Sequence, residues 1–374
     1  MTETADAVII GAGIVGAACA EALSREGLRL AVVESGMVGG GATAAGMGHV
    51  VVMDDSEEEF ALTRYSRDLW SELILSLPPD VEYEVRGTLW VAADEEEMTA
   101  AHRKAAFYAS RGVRAQILDA AALAEAEPQM RPGLAGALLI PDDAVIYAPC
   151  AARWLIEQAR GRGASLWLGA PVVELRPDGV QLGDGTRIAA GLTICATGAG
   201  VTALFPTAGV RPRKGHLAIT DRYPEFVRHQ LVELGYLKSA HGSARESVAF
   251  NVQPRKTGQL LIGSSRQFGA TDPAVEPPLL RRMLQRALEY MPALAQLSVI
   301  RTWTGFRAAT EDKLPLIGPC PGRESVYLAT GHEGLGITTS LGTARLLADR
   351  IAGRQPAIAP EPYLPSRLPQ PAHA

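Results

Sequence analysis

The first 34 residues constrain this chain more than any other stretch. Asp6-Ala-Val-Ile-Ile10 suits a buried strand, Gly11-Ala-Gly13-Ile14-Val15-Gly16 turns it into a helix, and Leu28 to Val33 reads as a second strand with Glu34 at its carboxyl end. Between them, Ala17, Ala18, Ala20 and Ala22 keep the helix thin enough to lie close on a parallel sheet. A strand, three spaced glycines, a helix, and an acid about 20 residues further on make a βαβ unit that holds a dinucleotide. Gly11 supplies the tight turn, Gly13 lets backbone approach a pyrophosphate, and Gly16 allows close helix–strand packing. The helix N-terminus offers N–H donors and positive potential to the diphosphate. Glu34 can accept ribose hydroxyls, and its charge disfavours a 2′-phosphate, which argues against NADP.

Composition removes several other classes. The chain has 374 residues, 47% apolar and 21% charged, enough for two domains or one large one around a sizeable core. A net charge of −5, with scattered basic residues, gives no reason to expect nucleic acid or an anionic membrane as partner. No apolar stretch approaches the roughly 18 residues of a transmembrane segment. Glu3 and Asp6 stand where a signal peptide would carry basic residues, so a cytoplasmic protein is expected. Cys19, Cys150, Cys195 and Cys320 are far apart and form no CxxC pair, so no metal, iron–sulfur cluster or disulfide framework is expected.

The rest of the chain alternates in character. Helices are expected over 55–77, 95–110, 147–163 and 279–290, and strands over 83–91, 165–168, 192–198 and 326–330. Residues 171–188 alternate and turn at Pro177-Asp178-Gly179 and Asp184-Gly185, as antiparallel strands do. Further alternating strands fall at 216–220, 247–252 and 260–264, and the proline-rich tail from Gln355 reads as irregular surface chain. This order describes a nucleotide-binding layer visited at the start, middle and end, with a mostly antiparallel domain between visits.

Two glycine-rich runs bear on the cofactor. Gly39 to Gly48 is built of tiny residues that let backbone approach a long flat ligand, which suits FAD better than NAD. Near the far end, Ala329-Thr-Gly331-His332-Glu-Gly334-Leu335-Gly336-Ile337-Thr338-Thr339-Ser340 follows a strand and opens a helix. It would address the flavin ring, with Thr338, Thr339 or Ser340 as cap and Leu347 and Ile351 turned inward. The helix dipole would stabilise negative charge on the reduced ring. The chain has no second strand–GxGxxG–helix, so electrons would come from the substrate itself. A glycine-rich surface loop and an NAD-dependent dehydrogenase are the rival readings.

GAGIVG at 11–16, ATAAGMG at 42–48, ATGAG at 196–200, PRKTGQLLIGSSRQF at 254–268, GFRAATEDKLPLIG at 305–318 and the run at 329–340 occur in this order across nearly the whole chain. Together they resemble the D-amino-acid oxidase superfamily of FAD-dependent oxidoreductases. The branch is that of D-hydroxyproline dehydrogenase and opine oxidase β subunits and hydrogen cyanide synthase-type subunits, with glycine and sarcosine oxidases as relatives. The resemblance implies an α/β fold: a Rossmann-like, GR2-type FAD domain from 1–80, 142–212 and 310–374, interleaved with a mainly antiparallel substrate domain from 81–141 and 213–309. It also implies oxidation of a small amino or imino acid by hydride transfer from Cα to flavin N5, with D-hydroxyproline, D-proline or an opine as substrate.

The same resemblance assigns residues. Arg307 would clamp the substrate carboxylate, Tyr236 would assist it, and His49, His332 and Met47 would face the substrate. Contacts to FAD would come from Gly11, Gly13, Ile14, Val15 and Gly16, from Glu34 and Ser35, and from Ala42, Thr43, Ala44, Gly46, Met47 and Gly48. Later contributors would be Val173, Ala196, Thr197, Gly198, Gly305 and Arg307, then Gly331, His332, Gly334, Leu335, Gly336, Ile337 and Thr338. No cysteine stands near Gly305-Phe306-Arg307, so FAD is expected to be noncovalent. Electrons would pass to oxygen or to companion subunits, a second flavoprotein and a small iron–sulfur protein. Glycine or sarcosine oxidase-type activity, and a flavin-bearing β subunit inactive alone, are the alternatives.

Overall fold

The computed structural model describes residues 2–235 and 246–368. Strand β1 (Thr2–Ile10), helix α1 (Ile14–Arg25) and strand β2 (Leu30–Glu34) form the expected βαβ unit. β1 pairs in parallel with β2 on one side and with Arg187–Cys195 on the other. Leu30 to Val33 are all buried, as in a parallel sheet covered on both faces. Six of the sheet's eight strands run in the order Val172–Arg176, Gly179–Leu182, Arg187–Cys195, β1, β2, Ser165–Leu168, and the other two, Leu316–Cys320 and Arg323–Thr330, branch from Arg187–Cys195. Arg323–Thr330 joins Arg187–Cys195 in parallel, so the chain returns to this layer near its end. α1 packs against Ala148–Gly161 and against the C-terminal helix Gly336–Ile351, in a core where Leu23, Leu155 and Leu347 are buried.

A nine-stranded sheet forms the second layer, in the order His332–Glu333, Val299–Ala309, Arg211–Arg222, Gln259–Phe268, Glu246–Pro254, Gln230–Glu233, Thr88–Ala92, Gly136–Ile140, Gln116–Asp119. It is antiparallel except where Gln230–Glu233 runs parallel to Thr88–Ala92. Helix Pro277–Tyr290 covers one face with Met283 and Ala287 buried. A third, small sheet joins His49–Val50, Ala144–Val145 and Glu84–Val85.

Helix starts follow local chemistry. Ser56 accepts the Glu59 N–H at 3.1 Å and Asp94 accepts the Glu97 N–H at 2.9 Å, each ahead of three glutamates that suit the positive helix end. Two expectations need correction. The strand read over 83–91 is split into Glu84–Val85 and Thr88–Ala92, because Gly87 takes φ +69° and donates to the Asp143 carbonyl. The tail is not all surface chain: Tyr363 is buried and its hydroxyl donates to the Glu58 carbonyl at 2.6 Å.

Candidate cofactor and active site

A cavity of about 1000 Å³ is lined by the carboxyl ends of β1 and β2 together with residues of the larger sheet. Its wall begins at Gly11 and Gly13. Gly11 has φ +101°, and a side chain there would put Cβ 2.6 Å from the Ala196 carbonyl oxygen. A Cβ on Gly16 would collide with the Gly11 carbonyl, so Gly16 serves helix packing and does not itself line the cavity. Glu34 is held by two backbone donors, the Ala12 N–H at 2.8 Å and the Gly36 N–H at 2.7 Å. Its carboxylate is thus oriented in the wall, with lone pairs left for hydroxyl groups.

The tiny-residue run is a short helix, α2 (Gly41–Ala45), rather than an open loop. From it Thr43 Oγ1 accepts the Ile14 N–H at 3.0 Å, capping α1, whose own N-cap Gly13 has no side chain. Ala42, Ala44, Gly46, Met47 and Gly48 continue the lining, and Ser35, Ile14, Val15, Ala196, Thr197 and Gly198 also belong to it. The Met47 carbonyl accepts from Gln253 Nε2 at 2.6 Å.

Strand Val299–Ala309 brings the substrate side in. Trp303 Nε1 donates to the Ala45 carbonyl at 3.3 Å, and Gly305 leaves the space that Ala45 fills. Residues two apart share a face of a strand, so Trp303, Gly305 and Arg307 are aimed alike. Arg307 Nη1 donates to the Ser265 carbonyl at 3.0 Å, and its guanidinium lies over Gly215, where any side chain would collide with it. His49 Nε2 is buried without a hydrogen-bond partner. Burial first, and the Arg307 charge second, push the His49 pKa down to about 4, so the ring is neutral at pH 7. His332 is within 2.9 Å of Thr343 Oγ1 through Nε2, and burial pushes its pKa down to about 3. Both histidines line the cavity, as do Gly334, Gly336 and Ile337.

Several expected contacts are displaced. Val173 is 59% exposed and points away; its neighbour Val172 lines the cavity, since successive strand residues face opposite ways. Gly331 makes a turn at φ +80° outside the wall, and Leu335 lines a smaller adjoining cavity. Thr338 neither lines the cavity nor caps the helix: its hydroxyl donates to the His49 carbonyl at 2.9 Å and accepts from the Val51 N–H. Thr339 and Ser340 bond back to the Leu335 and Ile337 carbonyls. The helix starts earlier, at Gly336, and no side chain caps it. Tyr236 lies outside the described residues. Asn251 was not foreseen; it lines the cavity from strand Glu246–Pro254, where Asn251 and Gln253 interrupt an apolar run at a spacing of two.

These features fit FAD: a long cavity, walls of glycine and alanine where side chains would block a flat ligand, and a fixed acid at the dinucleotide end. None of the four cysteines lines the cavity. Among the described residues no cluster of His, Cys, Asp or Glu could hold a metal ion, and no helix is long and apolar enough to cross a membrane.

Comparison with known proteins agrees. Residues 6–350 match the model of the family described as FAD dependent oxidoreductase, DAO. Glycine oxidase of Geobacillus kaustophilus is 30% identical over 382 residues, covering 97% of each chain. Hydrogen cyanide synthase subunit HcnC of Pseudomonas aeruginosa is 28% identical over 424 residues, covering 100% of this chain and 98% of the relative. The crystal structure of the Geobacillus kaustophilus glycine oxidase superposes with a TM-score of 0.88 at 27% identity, over 98% of this chain and 100% of that one. The family match takes in the βαβ unit, the tiny-residue run and the Arg307 strand together, and the chain belongs to the DAO family of FAD-dependent oxidoreductases, with FAD as its cofactor.

Proposed function

We propose that this protein oxidises the C–N bond of a small amino or imino acid, a secondary amine of the D-hydroxyproline, D-proline or opine kind. The observation that carries this reading is Arg307, whose guanidinium is anchored by the Ser265 carbonyl in the wall of the FAD cavity. FAD bound there would supply the acceptor for the hydride that leaves the substrate Cα; the amine would be left as a protonated imine, which gives its proton to water and is then hydrolysed or cyclises. Arg307 grips the carboxylate through paired N–H groups and so fixes the direction of the Cα–H bond. Neutral His49 stands beside it, its Nε2 buried and without a hydrogen-bond partner. The uncapped start of the helix Gly336–Ile351 favours negative charge at that end of the cavity. No protein base is assigned, because an amine that arrives neutral needs none.

The test is anaerobic mixing of the yellow holoprotein with D-proline, D-hydroxyproline, sarcosine, glycine and an opine. Bleaching of the flavin absorbance by one of them supports the reading; bleaching by none removes the substrate class. Glycine or sarcosine oxidase-type activity is the second reading, favoured by the 30% identity to a glycine oxidase. The absence of cysteine from the cavity wall supports noncovalent FAD, which acid precipitation would release as free yellow cofactor. Similarity to a protein named as a synthase subunit supports companion subunits. Our reading makes them a second flavoprotein and a small iron–sulfur protein that accept the electrons in the cytoplasm. Oxygen is the alternative acceptor, and co-purified partners would separate the two.

A further inference from the structure

Beside Arg307 a smaller cavity of about 110 Å³ adjoins the first and shares His49, Asn251, Arg307, Glu333 and Gly334 with it. Its wall differs in kind. Arg213, Arg266 and Lys313 join Arg307 there, against Asp55, Glu59 and Glu333. Glu333 is ion-paired with Arg213, and Asp55 lies 3.8 Å from Lys313. Burial, and then the charge of Asp55, push the Glu59 carboxyl up to about 7, so below that pH it is mainly neutral and cations outnumber ionised carboxylates. Three side chains in the same wall each leave a buried polar atom without a hydrogen-bond partner: Trp90 Nε1, Gln230 Oε1 and Asn251 Oδ1. These residues are 3%, 1% and 7% exposed. Buried polar atoms are ordinarily bonded, so a wall with this many open ones is shaped for a polar occupant.

We propose that the substrate carries a second carboxylate, which sits in this smaller cavity while the carboxylate next to the reacting carbon lies on Arg307. The inference rests on the function proposed above and narrows its substrate class to amines with two acid groups. At about 110 Å³ the cavity is several times the ~30 Å³ that one water occupies, which leaves room for a short acid arm. Excess positive charge selects an anion, the Trp90 N–H donates to it, and the Asn251 amide can turn its NH₂ toward it. Gln230 Oε1, an acceptor, is served by a water bound with the anion. The second acid is carried either on the substrate nitrogen or on its carbon skeleton.

Matched pairs test this on the holoenzyme. Iminodiacetate against sarcosine adds one carboxylate on the nitrogen side, and D-aspartate against D-alanine adds one on carbon. Anaerobic flavin reduction is expected to be at least about tenfold more efficient for the diacid of one pair, the scale of one charge-assisted hydrogen bond. Which pair shows the gain locates the arm. Monoacids that reduce the flavin as well as both diacids would overturn the second-carboxylate site and leave the amine oxidase reading intact. If no amine reduces the flavin, that reading fails, and the cavity is judged by binding alone. Succinate and propionate are then titrated against the oxidised flavin spectrum, and equal affinity refutes the proposal while tighter succinate binding supports it. In Arg266→Gln and Trp90→Phe proteins that keep their flavin absorbance, the ratio of succinate to propionate affinity should fall toward one; an unchanged ratio in both would refute the site.

Discussion

The two ends of the main cavity are made in different ways. At the dinucleotide end, Gly11, Gly13, Glu34 and Thr43 lie within one segment of the chain, and the bonds that shape it run from backbone N–H groups to side chains no more than 29 residues away. At the substrate end, His49, Asn251, Ser265, Arg307 and His332 come from five separate strands. The first end needs only correct local folding against a sheet. The second exists only when the strands of the larger sheet are in register, with Arg307 opposite Arg213 and Gly215 opposite Gly305. Binding FAD and choosing a substrate are therefore separable properties of this molecule.

That contrast can be broken at either end. The largest effect is expected from Gly16→Val, whose side chain meets the Gly11 carbonyl; the protein should purify without flavin, read as loss of absorbance near the flavin band relative to protein. Retained flavin would mean that the local end tolerates more than its geometry implies. Arg307→Ala should keep its flavin yet lose roughly 10²–10³ in reduction efficiency, the usual cost of removing one partner of a desolvated charge pair. Loss of FAD instead would join the two ends into one unit.

A pH effect comes next. His49 and His332 are held neutral, with pKa values pushed from 6.5 to about 4 and about 3. Between those values and 6.5 the unfolded chain binds protons that the folded one does not, so stability falls as pH drops through that window and rises as pH is raised. Urea midpoints measured from pH 7 to pH 4 should show this, and His332→Gln should flatten part of the slope. A parallel curve for the variant would remove His332 as a contributor. The smallest change is expected from Thr43→Val, which deprives the Ile14 N–H of its acceptor; a loss of about 1 kcal/mol, seen in the urea midpoint, would match the ordinary worth of a helix cap.

The local end was legible residue by residue. Glycine spacing, small residues in α1 and an acid at the carboxyl end of β2 are fixed by distance along the chain, and each stands where that spacing put it. Arg307 was reached through resemblance, with its apolar neighbours only in support, since a single arginine in a strand does not say which face it takes. Val173 was placed one residue from the true wall residue Val172, because strand faces alternate and a run of valines does not say which is inward. Thr338 had the composition of a cap but lies inside a helix that starts at Gly336, where its hydroxyl ties the helix to strand His49–Val50. The smaller cavity left no trace in the sequence, as Thr88, Gln230, Asn251, Arg266 and Glu59 are brought together only by tertiary packing.

By itself, then, the sequence determined the cofactor class and the layer that binds it, because a βαβ unit is a local object whose periods and glycines are set by covalent spacing. Tertiary structure alone decided which side chains meet at the reacting end, because that depends on the register of strands far apart in the chain and on which of their two faces is buried.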